Sequence, residues 1–141
     1  MDNIKLISVN GEPAVEDKKV MRDGMLAYHA SHGHPRVEKP YSVVLKNQNG
    51  KTVGMVIVTF RWSAMYINTL WVEELLRHRG LGTKLMKAVE KEAIKRGCYM
   101  AFTDTTSYQA PKFYEKLGYI CFAKLNNYPK SCSLHYFKKE L

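Results

Sequence analysis

Hydrophobic positions along this chain switch between the two-residue period of strands and the longer period of helices. Seven segments are rich in Val, Ile, Tyr and Phe or alternate in the manner of strands: 4–9, 41–46, 52–61, 65–72, 98–105, 119–125 and 133–139. Three segments carry a helical apolar face: 13–30, 81–96 and 111–117. This order predicts an α+β fold with a mixed sheet of about seven strands and flanking helices.

Glycine and proline positions mark the ends of these elements. Asn49-Gly50 separates two strand segments and is a strong hairpin signal, which predicts antiparallel neighbours. Gly97 follows the helix 81–96 as a stop, and Pro13 lies at the start of the first helix. Gly24 weakens that first helix and could split it in two.

The segment Arg77-His78-Arg79-Gly80-Leu81-Gly82 carries the most specific candidate chemistry. It follows a predicted strand and opens a predicted helix. Two glycines with one residue between them allow a tight turn and leave amide N–H groups pointing outward. The helix N-terminus adds partial positive charge, and two arginines add full charges. The segment therefore predicts a cradle for a pyrophosphate, with an ordinary tight turn before a helix as the alternative.

Two other phosphate-binding motifs do not fit this segment. A P-loop needs Gly-x-x-x-x-Gly-Lys-Ser/Thr, and the chain contains no such run. A dinucleotide fingerprint needs a third glycine, and position 85 is Leu85. What remains is Arg-x-x-Gly-x-Gly after a strand that ends in valine.

A second segment, Ser107 to Tyr119, reads Ser-Tyr-Gln-Ala-Pro-Lys-Phe-Tyr-Glu-Lys-Leu-Gly-Tyr and lies one predicted strand downstream. Together the two segments resemble the GNAT N-acetyltransferase superfamily, whose second motif is Asn-x-x-Ala-x-x-Phe-Tyr-x-Lys-x-Gly-Phe/Tyr. The likeness is specific from Leu70 to Tyr119 and runs from about Tyr41 to the C-terminus. Ser107 stands where many members carry Asn, and the variant looks like a bacterial subgroup with unassigned acceptors.

The resemblance implies a GNAT-like three-layer fold built as a single domain, residues 1–141. Its sheet would be mostly antiparallel and splayed between the fourth and fifth strands. Acetyl-CoA would be the cosubstrate. The residues carried over for cofactor binding are Leu70, Trp71, Val72, Arg77, His78, Arg79, Gly80, Leu81, Gly82, Thr83, Ser107 and Tyr114.

The resemblance also implies two catalytic groups. The backbone N–H of Val72 would stabilise the oxyanion, and the Tyr114 hydroxyl would protonate the departing thiolate. The alternatives are sheet core for Val72 and an aromatic core pair with Phe113 for Tyr114. Consecutive helical residues do not share one face, so one ring is expected to pack while the other faces the cleft. Ser107 would either contact the pantetheine arm or cap the following helix.

No general base stands out from the sequence. Glu73, Glu74, Asp104 and His135 are candidates, and a chain of water molecules is an equal alternative. His29, His32 and His34 cluster before a proline, yet no His-Glu-x-x-His or cysteine pair supports a metal site, so no metal is expected. The family places a loop beside the acceptor cleft at this point, which gives the histidines an alternative role in acceptor choice.

The composition of the chain predicts its partners and its compartment. Lys plus Arg is 22 and Asp plus Glu is 13, a net charge of +9 that suits a polyanionic ligand. Most lysines, such as Lys84, Lys87, Lys91 and Lys95, fit a solvated helix face instead. No apolar stretch reaches 18 residues, the first five residues do not resemble a signal peptide, and three cysteines form no metal-type pair. A cytoplasmic protein without a membrane partner is expected.

The function that follows from the resemblance is an acetyl-CoA-dependent N-acetyltransferase. It would act by direct attack of a primary amine on a small molecule, a protein or a peptide. One alternative is a GNAT-fold module that binds acyl-CoA without turnover. A basic nucleic-acid-binding domain is a further alternative, but the lysines are diffuse and no recognition motif accompanies them. The sequence leaves the acceptor and a homodimer open.

Overall fold

The computed structural model describes residues 3–141. Met1 and Asp2, which begin the segment inspected for a signal peptide, lie outside the described residues. Contacts divide the chain into one unit that ends at Arg36 and a second from Val37 to Leu141. The single domain over residues 1–141 stays a prediction, and each unit is described by itself.

The first unit contains one long helix, α1, Val15–Ser31. Glu16 and Asp17 occupy its first turn, where their charges complement the helix dipole. Gly24 lies within the helix and does not split it. The predicted strand at 4–9 is wrong, because residues 3–9 have no regular secondary structure. An apolar run can suit a strand, but only pairing with another strand makes it one.

The second unit is built on a six-stranded mixed sheet in the order β1-β2-β3-β4-β6-β5. Its strands are β1 Lys39–Lys46, β2 Thr52–Arg61, β3 Ala64–Val72, β4 Met100–Thr106, β5 Ile120–Asn126 and β6 Ser133–Glu140. Four of the neighbouring pairs are antiparallel, and only β3 and β4 run parallel. The predicted mixed, mostly antiparallel sheet is confirmed, with six strands because residues 4–9 do not form one.

Two helices and a short 3-10 turn complete this unit: α2 Leu81–Lys95, α3 Pro111–Lys116 and the turn Glu74–Leu76. The apolar face of α2 buries Leu85, Met86, Val89 and Ala93, and α2 contacts β1, β2 and β3. Each buried side chain of Leu or Val size contributes roughly 1.5–3 kcal/mol. Within residues 3–141, no helix is long and apolar enough to span a membrane.

Alternation along the strands gives the sheet two different faces. We call the side that packs on α2 the helix face and the other side the opposite face. The helix face carries Val56, Val58, Met65, Ile67, Thr103 and Phe137, all of them buried. The opposite face carries Thr59, Tyr66, Phe102, Asp104 and Tyr136. The second set is richer in polar groups, so the two faces of the sheet differ in chemistry.

Candidate active site

The parallel strands β3 and β4 pair over only three positions, from Ala64↔Met100 to Tyr66↔Phe102. Strand β3 continues to Val72 and β4 to Thr106, yet no further pairing joins them. A gap therefore opens between the carboxyl-terminal halves of the two strands. The fourth and fifth predicted strand segments, 65–72 and 98–105, correspond to β3 and β4, so the predicted splay between them is confirmed. We call this opening the splay gap.

The register between β2 and β3 decides which backbone groups face the splay gap. The Glu73 N–H donates to the Val53 carbonyl at 2.9 Å, so this position is a hydrogen-bonded pair. Because hydrogen-bonded and non-hydrogen-bonded pairs alternate, Gly54↔Val72 is of the second kind. The N–H and C=O of Val72 therefore point away from β2, toward the splay gap. The same alternation turns the backbone groups of Leu70 in that direction.

Trp71 lies between these two residues and has the opposite orientation. It is paired with Met55, and the alternation makes this a hydrogen-bonded pair. Its N–H and C=O therefore face β2, while its side chain is 45% exposed. Of the three residues expected to bind the pantetheine arm through the backbone, only Leu70 and Val72 present backbone groups to the splay gap.

Arg77 fixes the loop that follows β3. Its Nε donates to the Val72 carbonyl oxygen at 3.0 Å. This bond occupies the carbonyl of Val72 and leaves the N–H of the same residue directed at the splay gap. Arg77 thus has a structural contact in addition to the electrostatic role expected of it.

Side chains from β4 and α3 line the splay gap on the helix face. The Thr103 hydroxyl donates to the Ile67 carbonyl at 2.9 Å, just beyond the last paired residues. Burial raises the pKa of Tyr114 to about 12; the nearby Thr103 side chain opposes this rise, and the Asp104 charge adds to it. The phenol is therefore protonated at neutral pH and can act as a donor.

Tyr114 is only 5% exposed and sits among aromatic rings. Its ring centroid lies 5.6 Å from that of Tyr119 and 5.9 Å from that of Phe137. Phe113 is half-buried and meets Tyr114 edge-on at 5.2 Å, so Tyr114 is the more buried of the two. Tyr114 therefore has the ring contacts of a core residue, and its role as an acid stays a prediction.

The start of α2 has the features of an anion cradle. Gly80 is the N-cap, with a φ of 79° that favours glycine, and it makes no side-chain cap hydrogen bond. The first intrahelical bond runs from the Lys84 N–H to the Gly80 carbonyl at 3.0 Å. The N–H groups of Leu81, Gly82 and Thr83 therefore precede the helical ladder. No acidic residue lies in this first turn.

Basic side chains flank the same turn: Arg77, His78 and Arg79 are all exposed. Open N–H groups, the helix dipole and these positive charges together suit an anionic group such as a pyrophosphate. Gly82 also has a packing reason to be glycine. A Cβ there would lie 3.2 Å from two carbons of the Phe113 ring, so Gly82 allows α2 and α3 to pack closely.

Ser107 does not cap α3. The N-cap of that helix is Ala110, and it makes no side-chain cap hydrogen bond. The Ser107 hydroxyl instead accepts from the Ser133 N–H at 3.1 Å, and the Ser107 N–H donates to the Ser133 carbonyl at 2.8 Å. The capping alternative is therefore wrong, and contact with the pantetheine arm stays a prediction.

The opposite face of the splay gap holds a polar pair that the sequence did not connect. The Tyr66 hydroxyl donates to Asp104 Oδ2 at 2.8 Å. Burial, and then this bond, raise the pKa of Tyr66 to about 12. Tyr66 also lines a cavity of about 240 Å³. The other lining residues are Glu38, Thr59, Arg61, Ala64, Asn68 and Phe102.

The remaining candidate bases lie elsewhere. Glu74 is exposed in the 3-10 turn, and the Glu73 carboxylate is 3.4 Å from Lys51 Nζ. His135 Nε2 lies 2.8 Å from the Ser133 hydroxyl, and His135 pairs with Thr105 on the helix face. Of the four candidate bases, Asp104 alone takes part in the polar pair with Tyr66.

The histidine cluster belongs to the end of α1. His32 Nδ1 lies 3.0 Å from the Tyr28 carbonyl oxygen, which places it against its own helix. Among residues 3–141, no group of three or more His, Cys, Asp or Glu side chains is arranged to hold a metal ion. The role of the cluster beside an acceptor stays a prediction.

The mixed sheet that splays between β3 and β4, with the glycine turn at the start of α2, has the fold of the GNAT acetyltransferases. The model of the Acetyltransferase (GNAT) family matches residues 12–119, and the chain belongs to this family. The blasticidin-S acetyltransferase of Streptomyces morookaense is 30% identical over 102 residues, which cover 72% of this chain and 75% of that protein.

Solved structures agree with this assignment. An acetyltransferase from Bacillus cereus is 31% identical and superposes with a TM-score of 0.84, covering 95% of this chain and 98% of its own. An aminoglycoside 6'-N-acetyltransferase complexed with coenzyme A has a TM-score of 0.63 at 21% identity and covers 72% of each chain. The second likeness concerns the fold alone.

Proposed function

We propose that this chain transfers the acetyl group of acetyl-CoA to a primary amine by direct attack. The observation that carries the proposal is the orientation of the Val72 N–H. It points away from β2, toward the splay gap, because Gly54↔Val72 is a non-hydrogen-bonded pair, and Arg77 Nε donates to the carbonyl of the same residue. A rigid backbone donor in a strand is the kind of group that stabilises a developing oxyanion.

The residues that would hold the cosubstrate lie at the end of β3, in the loop that follows it and in the first turn of α2. The N–H groups of Leu81, Gly82 and Thr83 would meet the pyrophosphate, with Arg77 and Arg79 supplying charge. Backbone groups of Leu70 and Val72 would pair with the pantetheine arm. Acetyl-CoA supplies an activated thioester, and the protein supplies position and electrostatics.

Two groups of the chain would serve the chemistry. The Val72 N–H would donate to the carbonyl oxygen as it becomes negative during attack. As the carbon–nitrogen bond forms and the carbon–sulfur bond breaks, Tyr114 would give its proton to sulfur. The amine nitrogen would lose its proton to water. A phenol that stays protonated well above neutral pH suits this role, since it is in the donating form in nearly every molecule.

The acceptor is proposed to be a primary amine on a small molecule or a peptide. The relative from Streptomyces morookaense is named for blasticidin S, a small-molecule acceptor. The cavity beside Tyr66 has a volume of about 240 Å³, which suits a compact amine group.

The test is release of the CoA thiol from acetyl-CoA with a panel of polyamines, aminoglycosides, amino acids and peptides. We expect amine-dependent release by the wild-type chain and its loss in Tyr114→Phe. Binding of acetyl-CoA without release in any panel member would favour a non-catalytic module. A thermal shift with CoA but without an amine separates binding from turnover.

A further inference from the structure

The opposite face of the splay gap carries a cavity and a carboxylate that none of the catalytic steps above uses. The cavity is walled by β2, β3 and β4, together with Glu38 just before β1. Its volume of about 240 Å³ corresponds to about eight water molecules at roughly 30 Å³ each. A compact organic group fits such a space, while an extended polymer does not.

The charged groups at or beside the cavity are Glu38, Arg61, Asp104 and Lys138. Arg61 Nη1 and Glu38 Oε1 are 2.8 Å apart, so these two charges offset each other. Lys138 neighbours Phe102 on the same face, but its ammonium lies 5.7 Å from the centroid of the Phe122 ring on β5. Asp104 does not line the cavity itself, but its Oδ2 lies 2.8 Å from the hydroxyl of the lining residue Tyr66, so its negative charge stands beside the cavity.

Asp104 is held in place but keeps capacity to bind. Its Oδ2 accepts one hydrogen bond from the Tyr66 hydroxyl at 2.8 Å. An ionised carboxylate has about four lone-pair sites, so a single bond leaves room for a second donor. The Tyr66 ring also contacts the Phe102 ring in a tilted arrangement, with centroids 5.1 Å apart, and this contact restricts where its hydroxyl can lie.

Strand alternation sets the position of Asp104 relative to Tyr114, the proposed proton donor. Thr103 and Asp104 are consecutive on β4, so their side chains point to opposite faces of the sheet. Thr103 lies near Tyr114 on the helix face, and the Asp104 carboxylate accepts from the Tyr66 hydroxyl on the other. A group anchored at Asp104 therefore enters the splay gap from the side opposite the sulfur's proton donor.

We infer that Asp104, positioned by Tyr66, binds the ammonium nitrogen of an acceptor whose body lies in this cavity. The acceptor class is then a compact primary amine that is selected by charge as well as by size; it binds as its ammonium ion and gives one proton to water before it attacks. This inference rests on the proposed acetyl transfer and adds the residue that recognises the acceptor. Tyr66 acts through Asp104 and is a positioning residue.

The test measures binding to the CoA-loaded chain, so it does not depend on turnover. Benzylamine is the cationic probe, and benzyl alcohol is its neutral match with the same ring. NMR titrations would compare the wild type with Asp104→Asn, which keeps an oxygen for the Tyr66 hydroxyl, and with Tyr66→Phe. Glu140→Gln is the control, since Glu140 is an exposed carboxylate on β6 four residues from Tyr136, the partner of Asp104.

We expect Asp104→Asn to weaken benzylamine roughly ten- to a hundredfold, the usual value of a hydrogen bond to a charged group. Tyr66→Phe should weaken it less, Glu140→Gln should leave it unchanged, and benzyl alcohol should be insensitive to all three. Added salt should weaken benzylamine and spare the alcohol in the wild type. Melting temperatures identify any variant that has lost its fold.

The inference is overturned if the wild type binds both probes equally or neither, or if Asp104→Asn and Tyr66→Phe bind benzylamine like the wild type. Thiol release measured on the same samples separates this outcome from failure of the proposed function. Charge-dependent binding without release with any amine would refute acetyl transfer and keep the anchor. Thiol release by the wild type, together with an unchanged KM for the amine in Asp104→Asn, would support acetyl transfer and refute the role of Asp104.

Discussion

Gly82 in the first turn of α2 faces the ring of Phe113 on α3. A Cβ at position 82 would stand 3.2 Å from Cε2 and Cζ of that ring, closer than ordinary van der Waals contact. The glycine therefore sets how closely the cradle helix approaches the helix that carries Tyr114. A motif glycine that suggests phosphate contact also serves as a packing contact between two parts of the site.

Gly82→Val is expected to destabilise the fold by about 1–3 kcal/mol through overpacking. Phe113→Leu in the same chain should recover part of this loss, because the shorter side chain vacates the contact. Gly24→Val is the matched control, since no atom lies within 4 Å of a Cβ at that helical position. Urea unfolding measures all three. Normal stability with lost CoA affinity in Gly82→Val would assign the glycine to phosphate alone.

Arg77 and Arg79 should separate into two roles. Arg77→Ala removes the bond to the Val72 carbonyl, so it should lower both the melting temperature and the affinity for CoA. Arg79→Ala should weaken CoA by roughly ten- to a hundredfold, the value of a charged hydrogen bond, with little effect on stability. Calorimetric titration and thermal melting on each variant provide the measurements. Equal CoA affinity in both variants and the wild type would exclude both arginines from the CoA site.

Tyr114→Phe keeps the ring among Tyr119 and Phe137 and removes only the hydroxyl. If that hydroxyl protonates the thiolate, kcat should fall by roughly 10²–10⁴-fold while KM for acetyl-CoA changes little. Steady-state kinetics with any accepted amine give both values. Tyr99→Phe, at an exposed position, controls for the loss of a tyrosine hydroxyl. Normal kcat in Tyr114→Phe would move the acid to another group or to water.

The buried Tyr114 phenol also predicts a loss of stability in alkali. Its pKa is 10.0 in the reference state and about 12 in the fold, so the fold favours the protonated form. This contribution is complete below pH 10 and is lost as the pH rises from there to about 12. The linked contribution is on the order of 2–3 kcal/mol. Urea unfolding across this range should show a shallower decline in Tyr114→Phe than in wild type; equal slopes would contradict it.

Local features of the site were readable from the sequence. The apolar face of α2, the positive φ at Gly80 and the N1 proline of α3 each depend on residues within a turn or two. The strand after the Asn49-Gly50 hairpin begins and ends where predicted, at Thr52–Arg61. Such features follow from side-chain periodicity and backbone freedom, which act over a few residues.

The family, and with it the splayed sheet, was also predicted from the sequence, through two motifs in the right order. The single failed element, the strand at 4–9, shows the limit of the apolar pattern. Such a pattern records side chains that suit a sheet, but a strand exists only when a second backbone completes its hydrogen bonds.

Only the tertiary structure decided how the site is assembled. The contacts Gly82–Phe113, Ser107–Ser133 and Tyr66–Asp104 join residues 26 to 38 positions apart. The direction of the Val72 N–H depends on the register between β2 and β3, where a slip of one residue would reverse it. Because distant segments meet only on folding, the sequence determined the chemistry this chain carries, and the sheet's register and packing decided which groups face one another.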